Sequence, residues 1–447
     1  MRGKKRTMAH RPQPGVARLV AETYSMRLIT LGCLVIAAIL QARLLGPEGK
    51  GLLATALAWS ALIGGVALFG SDSAAVYFVA RAANHALWLM RASLIYAVGL
   101  AILAGAPVGA AIAFAPQASA DLKVILAIAL LVPIFILTSI FNAILVGLNS
   151  IRSTNNVNVI SAIFYTFALA VCFLLHIETF EVITAIVIGI QLTTLILLVA
   201  AVQRVGAAEC RAPQLPAFMR YALQSFRGNL AGLLFLRSSL LMLGSFAPIA
   251  QAGIYSIAVV FADVALMMPN TLTNILLPRL AGQHPALIAT RVAATARYAF
   301  AGSLALALMI GCGAFLVVPV GFGEAFRPAA PVALLLCIGA APGTPGMILS
   351  LYFNAREQPE TPATAAWIGC GVVIAGSLAL VPFAGAAGAA VATGIARAAT
   401  SLFIIARFCR ASGLNWRASL VFQATDWAKS ERKIHALYEQ VIRARRA

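Results

Sequence analysis

The sequence contains few charged residues. Only 11% of its 447 residues are charged and 61% are hydrophobic, whereas soluble domains carry about 25% charged residues. So few charges cannot cover the surface of a water-soluble fold. The composition therefore excludes a cytosolic enzyme, a nucleic-acid-binding module and a disordered chain, and it indicates an integral membrane protein.

Patterns of residues that form catalytic, phosphate-binding or metal sites are also scarce. The 14 acidic residues are dispersed, with no DxD or DDxxD cluster for Mg²⁺-diphosphate, and there is no GxxxxGK[ST] phosphate loop. The seven cysteines form no CxxC pair, and the five histidines are never at ligand spacing. We therefore expect no cofactor and no metal. The sequence favours a passive or ion-driven process rather than catalysis or ATP hydrolysis. It leaves H⁺ or Na⁺ coupling open.

Long apolar runs fill most of the chain. A membrane-spanning helix needs about 20 apolar residues, and the runs are continuous rather than alternating, which excludes a β-barrel. The sequence therefore predicts an all-α fold of about twelve transmembrane helices. These helices are predicted at 28–45, 52–78, 92–114, 124–148, 158–176, 182–203, 229–246, 253–277, 299–322, 330–353, 366–383 and 387–407.

The basic residues predict the orientation of these helices. The net charge is +19, with 33 lysines and arginines, and 27 of the 33 fall in segments on the side of the two termini. By the positive-inside rule both termini are cytoplasmic. We expect these charges to attract anionic membrane lipids and not nucleic acid. The charge pattern thus predicts a multi-pass membrane protein with both termini on the cytoplasmic side.

The charge and hydropathy pattern divides the chain into five parts. Residues 1–27 form a basic cytoplasmic tail, 28–203 an N-lobe of six helices, and 229–409 a C-lobe of six helices. A cytoplasmic linker at 204–228 joins the lobes, and a basic amphipathic tail occupies 410–447. A weak internal repeat supports two lobes, because a glycine (Gly51, Gly253) opens the second helix of each half. Internal duplication is common in transporters.

Three ionisable residues lie near mid-depth in predicted helices of the C-lobe: Arg237, Asp263 and Arg397. A charge at mid-bilayer costs about 2.5–3.5 kcal/mol, so such residues indicate function. One interpretation is a direct Arg237–Asp263 pair that locks the lobe. That pair leaves Arg397 unmatched, so we favour a cationic cavity that binds an anion. Asp72 lies closer to the inner face and is either a hydrated helix-end acid or, like Asp263, a candidate for ion coupling.

The tenth helix contains two prolines and three glycines within eight residues: Gly339, Pro342, Gly343, Pro345 and Gly346. Each proline removes a backbone hydrogen bond, and a broken backbone is tolerated in a membrane only against protein or a water-filled cavity. The sequence predicts a non-helical hinge over residues 339–346 that bends during transport. A static proline kink is the alternative.

Three stretches resemble the polysaccharide or O-antigen (Wzx-type) flippases of the multidrug/oligosaccharidyl-lipid/polysaccharide exporter (MOP) superfamily. They are residues 42–51 with 76–81 further along, residues 236–244, and residues 253–258 followed by Asp263, Pro269 and 277–280. The resemblance implies a fold with two lobes, as in multidrug exporters. The chain departs from the family pattern at Arg237-Ser238-Ser239, where Arg-x-Asp is common, and at Asp263, where Glu is common.

The resemblance also implies a cargo. It would be an isoprenoid diphosphate-linked oligosaccharide, flipped from the cytoplasmic to the periplasmic leaflet by alternating access, with glycan-synthesis proteins as further candidate partners. Arg237, Arg397 and Asp263 would bind this substrate. A multidrug or small-solute antiporter of the same superfamily is the alternative. A polytopic glycan ligase or polymerase is disfavoured because no predicted outer loop is large.

Overall fold

The computed structural model describes residues 16–99, 120–205, 211–280 and 283–417, and this part of the chain is helical with no strand. Short 3₁₀ turns occur at Ala83–His85 and Glu324–Phe326, and a π-helical turn at Val318–Phe322. The helices are α1 (Val16–Leu68), α2 (Ser71–Arg81), α3 (86–99), α4 (Ala120–Gly147), α5 (Ile151–Leu174), α6 (Phe180–Val205), α7 (Leu215–Phe246), α8 (Ile249–Leu280), α9 (Pro285–Val317), α10 (Ala329–Ala340), α11 (Gly343–Ala355) and α12 (Glu360–Ser412).

Nine helices in the described part of the chain are long and apolar enough to cross a membrane. Two of them, α1 and α12, have 53 residues each. At about 1.5 Å per residue such a helix is about 80 Å long, more than twice the thickness of a bilayer core. Each is broken by a glycine with positive φ, Gly46 (φ 63°) and Gly385 (φ 52°). Each is therefore long enough for two crossings.

The structure is thus that of an all-helical, multi-pass membrane protein, as the composition predicts. The exact number of twelve crossings stays a prediction, because α3 reaches only residue 99 and residues 100–119 lie outside the described residues. The predicted amphipathic tail lies outside them from residue 418 onwards, and so do the first 15 residues.

Two predicted boundaries differ from the observed ones. The predicted helix at 52–78 is interrupted at Phe69 and Gly70, which both have positive φ and form the turn between α1 and α2. The predicted linker at 204–228 is largely helical, because α7 already begins at Leu215. In both places the residues are apolar enough to form a helix. Where each helix begins and ends depends on its packing against other helices, which the hydropathy pattern does not report.

The chain folds into two compact units. The first contains residues up to Leu44, Ser71–Ala118 and Ala129–Ala222, and the second contains Leu45–Gly70, Ser119–Ile128 and the chain from Leu223 onwards. The sequence assigns residues 45–70 to the N-lobe, whereas their packing places them in the second unit.

In the first unit, α2 packs on the start of α7 through aromatic rings. Tyr77 stacks on Tyr221 at a centroid distance of 4.4 Å, and the guanidinium of Arg81 lies 4.2 Å from the Tyr77 ring centroid. This cation–π contact ties the last turn of α2 to the same cluster. Between α1 and α5, the Thr166 hydroxyl donates to the Cys33 carbonyl at 2.9 Å.

The second unit has a core built from α8, α9, α11 and α12. Tyr352 is 2% exposed and packs edge-on against Phe353 and Phe408. Its hydroxyl accepts a hydrogen bond from Arg356 at 2.7 Å and donates to the Ala411 carbonyl at 3.3 Å. The apolar ring and its paired hydroxyl fix the ends of α11 and α12 together.

A close helix crossing joins α1 and α8 in the second unit. A Cβ added to Gly51 would collide with the carbonyl oxygen of Ile249, and one added to Gly253 would collide with that of Pro47. The two glycines of the weak sequence repeat therefore meet at one contact, where only glycine lets the backbones approach. This contact accounts for the placement of residues 45–70 in the second unit.

Candidate functional site

Three helices of the second unit carry the charges that the sequence places at mid-depth. Arg237 lies on α7, Asp263 on α8 and Arg397 on α12. Asp263 interacts electrostatically with both arginines. Arg237 and Asp263 are exposed, and Arg397 is half-buried. A charged side chain at mid-depth in a membrane is stable against water or an opposite charge and costly against lipid.

The interpretation of Arg237 and Asp263 as a direct structural pair is not what the geometry shows. Within the described part of the chain, neither residue takes part in an ion pair of 4.0 Å or less, and neither does Arg397. The guanidinium of Arg397 instead lies 5.8 Å from the centroid of the Phe235 ring. The three charges are thus close enough to interact without a direct ion pair. Their role in binding stays a prediction.

A group of buried hydroxyls lies on the same three helices, and sequence reasoning did not find it. Ser239 on α7 hydrogen-bonds Thr393 on α12 at 2.8 Å, and Tyr255 on α8 hydrogen-bonds Thr393 at 3.1 Å. Ser377 lies 3.4 Å from Ser239. Thr393 also donates to the Ala389 carbonyl at 2.9 Å. We call Ser239, Tyr255, Ser377 and Thr393 the hydroxyl cluster.

One signal in the sequence could have revealed this cluster. Small hydroxyl residues in apolar membrane helices often mark helix–helix contacts, and Ser239 lies two residues from Arg237. In the family pattern an acid often occupies the position of Ser239. The structure shows a neutral, buried serine there, 2% exposed, which forms hydrogen bonds between helices.

A cavity of about 190 Å³ lies within the second unit. Its walls come from α7, α8, α11 and α12 and are mostly apolar. Arg397 supplies the charge in the lining. Representative lining residues are Gly232, Phe235, Leu266, Met347, Arg397 and Ile404.

The predicted hinge is a short break in the helix. The sequence predicts a non-helical stretch over residues 339–346, whereas α10 ends at Ala340 and α11 begins at Gly343. Only Ala341 and Pro342 lie between them. Pro342 has no N–H to continue the ladder of α10, and the Thr344 N–H closes the turn by donating to the Ala341 carbonyl at 3.0 Å. Bending at this break stays a prediction.

A side chain of α12 provides a hydrogen-bond partner for a backbone N–H in the first turn of α11. Pro345 lies in this turn, where an N–H has no partner in its own helix, and the Gly346 N–H donates to the Ser401 hydroxyl at 2.9 Å. A Cβ on Gly343 would lie 3.2 Å from the Cβ of Arg397. The glycines and prolines of the break therefore bring α11 close to the helix that carries Arg397.

Asp72 lies apart from this site, in the first unit and in the first turn of α2. An acid in the first turn interacts favourably with the helix dipole, which agrees with the interpretation as a helix-end acid. One carboxylate oxygen, Oδ1, is buried without a hydrogen-bond partner. Ion coupling through Asp72 stays a prediction. Among the described residues there is no group of three His, Cys, Asp or Glu side chains that could hold a metal ion.

Comparisons with known structures identify the fold. An inward-facing multidrug resistance MATE transporter of the MOP superfamily matches with a TM-score of 0.62 at 12% identity, over 86% of this chain and 94% of that chain. The lipid II flippase MurJ, in an inward closed conformation, matches with a TM-score of 0.60 at 14% identity, over 89% and 90%. A MOP superfamily transporter from Pyrococcus furiosus matches with a TM-score of 0.51 at 14% identity, over 89% and 95%.

The sequence profile of one family covers more than half of the chain. It describes a polysaccharide biosynthesis protein and matches residues 18–283. Among curated proteins, none matches the chain. The family and the fold agree with the resemblance seen in the sequence. The chain belongs to the polysaccharide biosynthesis protein family and has the fold of the MOP superfamily.

Proposed function

We propose that this protein flips an isoprenoid diphosphate-linked oligosaccharide from the cytoplasmic to the periplasmic leaflet, for the synthesis of a cell-surface polysaccharide. The observation that carries the proposal is the excess of positive charge at mid-depth: Arg237 and Arg397 share a single acid, Asp263, and none of the three is closed off in an ion pair of 4.0 Å or less in the described structure. A diphosphate supplies the matching negative charge.

The family and one relative of the same fold support this cargo. The matching family is that of polysaccharide biosynthesis, and MurJ is a flippase for lipid II. A hydrated space lined by cations accommodates the diphosphate and the glycan, while the lipid tail remains in the bilayer. We place the protein in the inner membrane of a bacterium and propose alternating access of two lobes as its mechanism.

Ion coupling is a further part of the proposal. Asp263 interacts electrostatically with both arginines, so protonation or Na⁺ binding at its carboxylate changes the net charge that the substrate meets. Asp72, with a buried unpartnered oxygen, is the second candidate. No resident cofactor is proposed.

The first prediction concerns the two arginines. Substituting Arg237→Gln or Arg397→Gln should lower the transport of lipid-linked oligosaccharide into proteoliposomes at least tenfold. A hydrogen bond to a charged group is worth about 1.5–3 kcal/mol, and each 1.4 kcal/mol is about tenfold. Arg327→Gln is the matched control, since Arg327 is exposed and its pair with Glu324, at 3.7 Å, lies at the surface. Full transport by both the Arg237 and the Arg397 variant would contradict the assigned role.

The alternative cargo is a small cationic drug, since a multidrug transporter has the same fold. Deletion of the gene separates the two. Lipid-linked glycan that accumulates at the inner leaflet supports the flippase, whereas altered resistance to cationic drugs with normal glycan export supports the antiporter.

A further inference from the structure

The cavity within the second unit combines an apolar wall with one cation. Phe235, Leu266, Met347 and Ile404 line it from four different helices, and Arg397 faces it from α12. All of these residues belong to a single unit. The cavity is therefore built by one unit alone.

The chemistry of the lining defines the ligand class. Arg397 has no carboxylate within 4.0 Å among the described residues, and its guanidinium lies beside the Phe235 ring, 5.8 Å from the ring centroid. A cation in apolar surroundings attracts an anion more strongly than it does in water. The apolar wall in turn favours hydrocarbon. The matching ligand is an amphiphile with a phosphate at one end and a narrow apolar chain at the other.

The volume restricts which part of such a molecule fits. Binding sites for whole small molecules measure about 300–1,000 Å³, and this cavity measures about 190 Å³. A cavity below that range holds a fragment of a ligand rather than a whole cargo molecule. A phosphate with the first part of an isoprenoid chain fits this size, and an oligosaccharide does not.

We propose that this cavity is the subsite for the junction between the phosphate and the isoprenoid chain of the cargo, with Arg397 on the phosphate and the apolar wall on the first isoprene unit. The inference rests on the proposed function, and it adds that the junction between phosphate and isoprenoid is held inside one unit while the rest of the lipid tail remains in the bilayer. The glycan then lies outside this cavity, on the side of the exposed Arg237 and Asp263.

Gly232 provides a direct test, because it lines the cavity and a Cβ added to it meets no atom within 4 Å. Gly232→Leu should fill the cavity without a clash in its own helix. Gly371→Leu is the matched control: this helical glycine also has open space around its Cβ and does not line the cavity. Farnesyl diphosphate is the probe, with binding measured on the full-length protein in nanodiscs.

We expect Gly232→Leu to weaken farnesyl diphosphate binding at least tenfold and Gly371→Leu to change it less than twofold. Farnesol and inorganic diphosphate, which each lack one half of the ligand, should bind at least tenfold more weakly. Three results would overturn the proposal: unchanged binding in Gly232→Leu, equal binding of inorganic diphosphate, or equal competition by phosphatidylglycerol. The last would show a site for bulk anionic lipid.

The transport assay keeps this inference separate from the proposed function. If the wild-type protein transports lipid-linked oligosaccharide and Gly232→Leu binds farnesyl diphosphate normally, the subsite is wrong and the flippase function stands. If the wild-type protein transports no such cargo, the function fails, and with it the assignment of this cavity to that cargo.

Discussion

Thr393 is the residue at which the buried hydroxyls of Ser239 and Tyr255 meet. Its hydroxyl hydrogen-bonds Ser239 and Tyr255 from two other helices. Each of these side chains is buried, so each needs a partner inside the protein. The residue therefore couples the positions of α7, α8 and α12, the three helices that carry Arg237, Asp263 and Arg397.

We predict that Thr393→Val destabilises the protein more than Ser239→Ala does. Valine has nearly the shape of threonine but removes the hydroxyl that both Ser239 and Tyr255 hydrogen-bond, and loss of a partner by a buried polar group costs about 1–3 kcal/mol. In Ser239→Ala, Tyr255 keeps Thr393. The melting temperature in detergent measures the difference. Equal melting temperatures of the two variants would show that Thr393 is not the centre of the cluster.

Glycines decide how two helices meet at the crossing of α1 and α8. Gly51 and Gly253 face each other's helix backbone, and a side chain at either position would collide with a carbonyl oxygen. Backbone cannot move aside as a flexible side chain does, so the helices themselves must separate.

Gly253→Ala should therefore lower stability by at least about 1–3 kcal/mol, the usual cost of overpacking. Gly189→Ala on α6 is the control, since its Cβ meets nothing within 4 Å, and alanine favours a helix over glycine by about 1 kcal/mol. Thermal melting of the two variants should shift in opposite directions. A stable Gly253→Ala variant would mean that the crossing opens easily.

The break between α10 and α11 is a second feature that concerns how two helices are joined. Replacing Pro342 and Pro345 with alanine restores two N–H donors and favours one continuous helix over residues 329–355. If the break bends during transport, the double variant should transport several-fold more slowly while its amount in the membrane is unchanged. Normal transport by this variant would reduce the break to a static kink.

Across the full chain, the distribution of charge predicts which loops face the cytoplasm. The exposed residues Ala325 and Gln358 lie in loops that the positive-inside rule assigns to opposite sides. In a background without native cysteines, a membrane-impermeant maleimide should label Ala325→Cys in intact cells. It should label Gln358→Cys only after permeabilisation. The reverse pattern would invert the topology, and equal labelling of both would contradict it.

The division into units shows the limit of linear reasoning at this scale. The sequence divides the chain at the basic segment 204–228, because charge and proline interrupt the apolar runs there. Packing places residues 45–70 with the second unit and the start of α7, from Leu215, with the first. Apolar periodicity identifies a helix but carries no information about which other helices it packs against.

Hydropathy, charge and short motifs were enough to predict the class of protein, the all-helical fold and the family resemblance, and they singled out three charged residues of the C-lobe whose role stays a prediction. All of these follow from local quantities, since hydropathy, charge cost and proline chemistry are properties of a segment and not of its neighbours. Three contacts became visible only in the folded chain: Gly51 meets Gly253, Ser239 is hydrogen-bonded to Thr393, and Arg397 lines a cavity. In each case residues more than 150 positions apart, or from several helices, come together. Their proximity depends on how helices pack, because small residues permit close approach and buried polar groups select their partners.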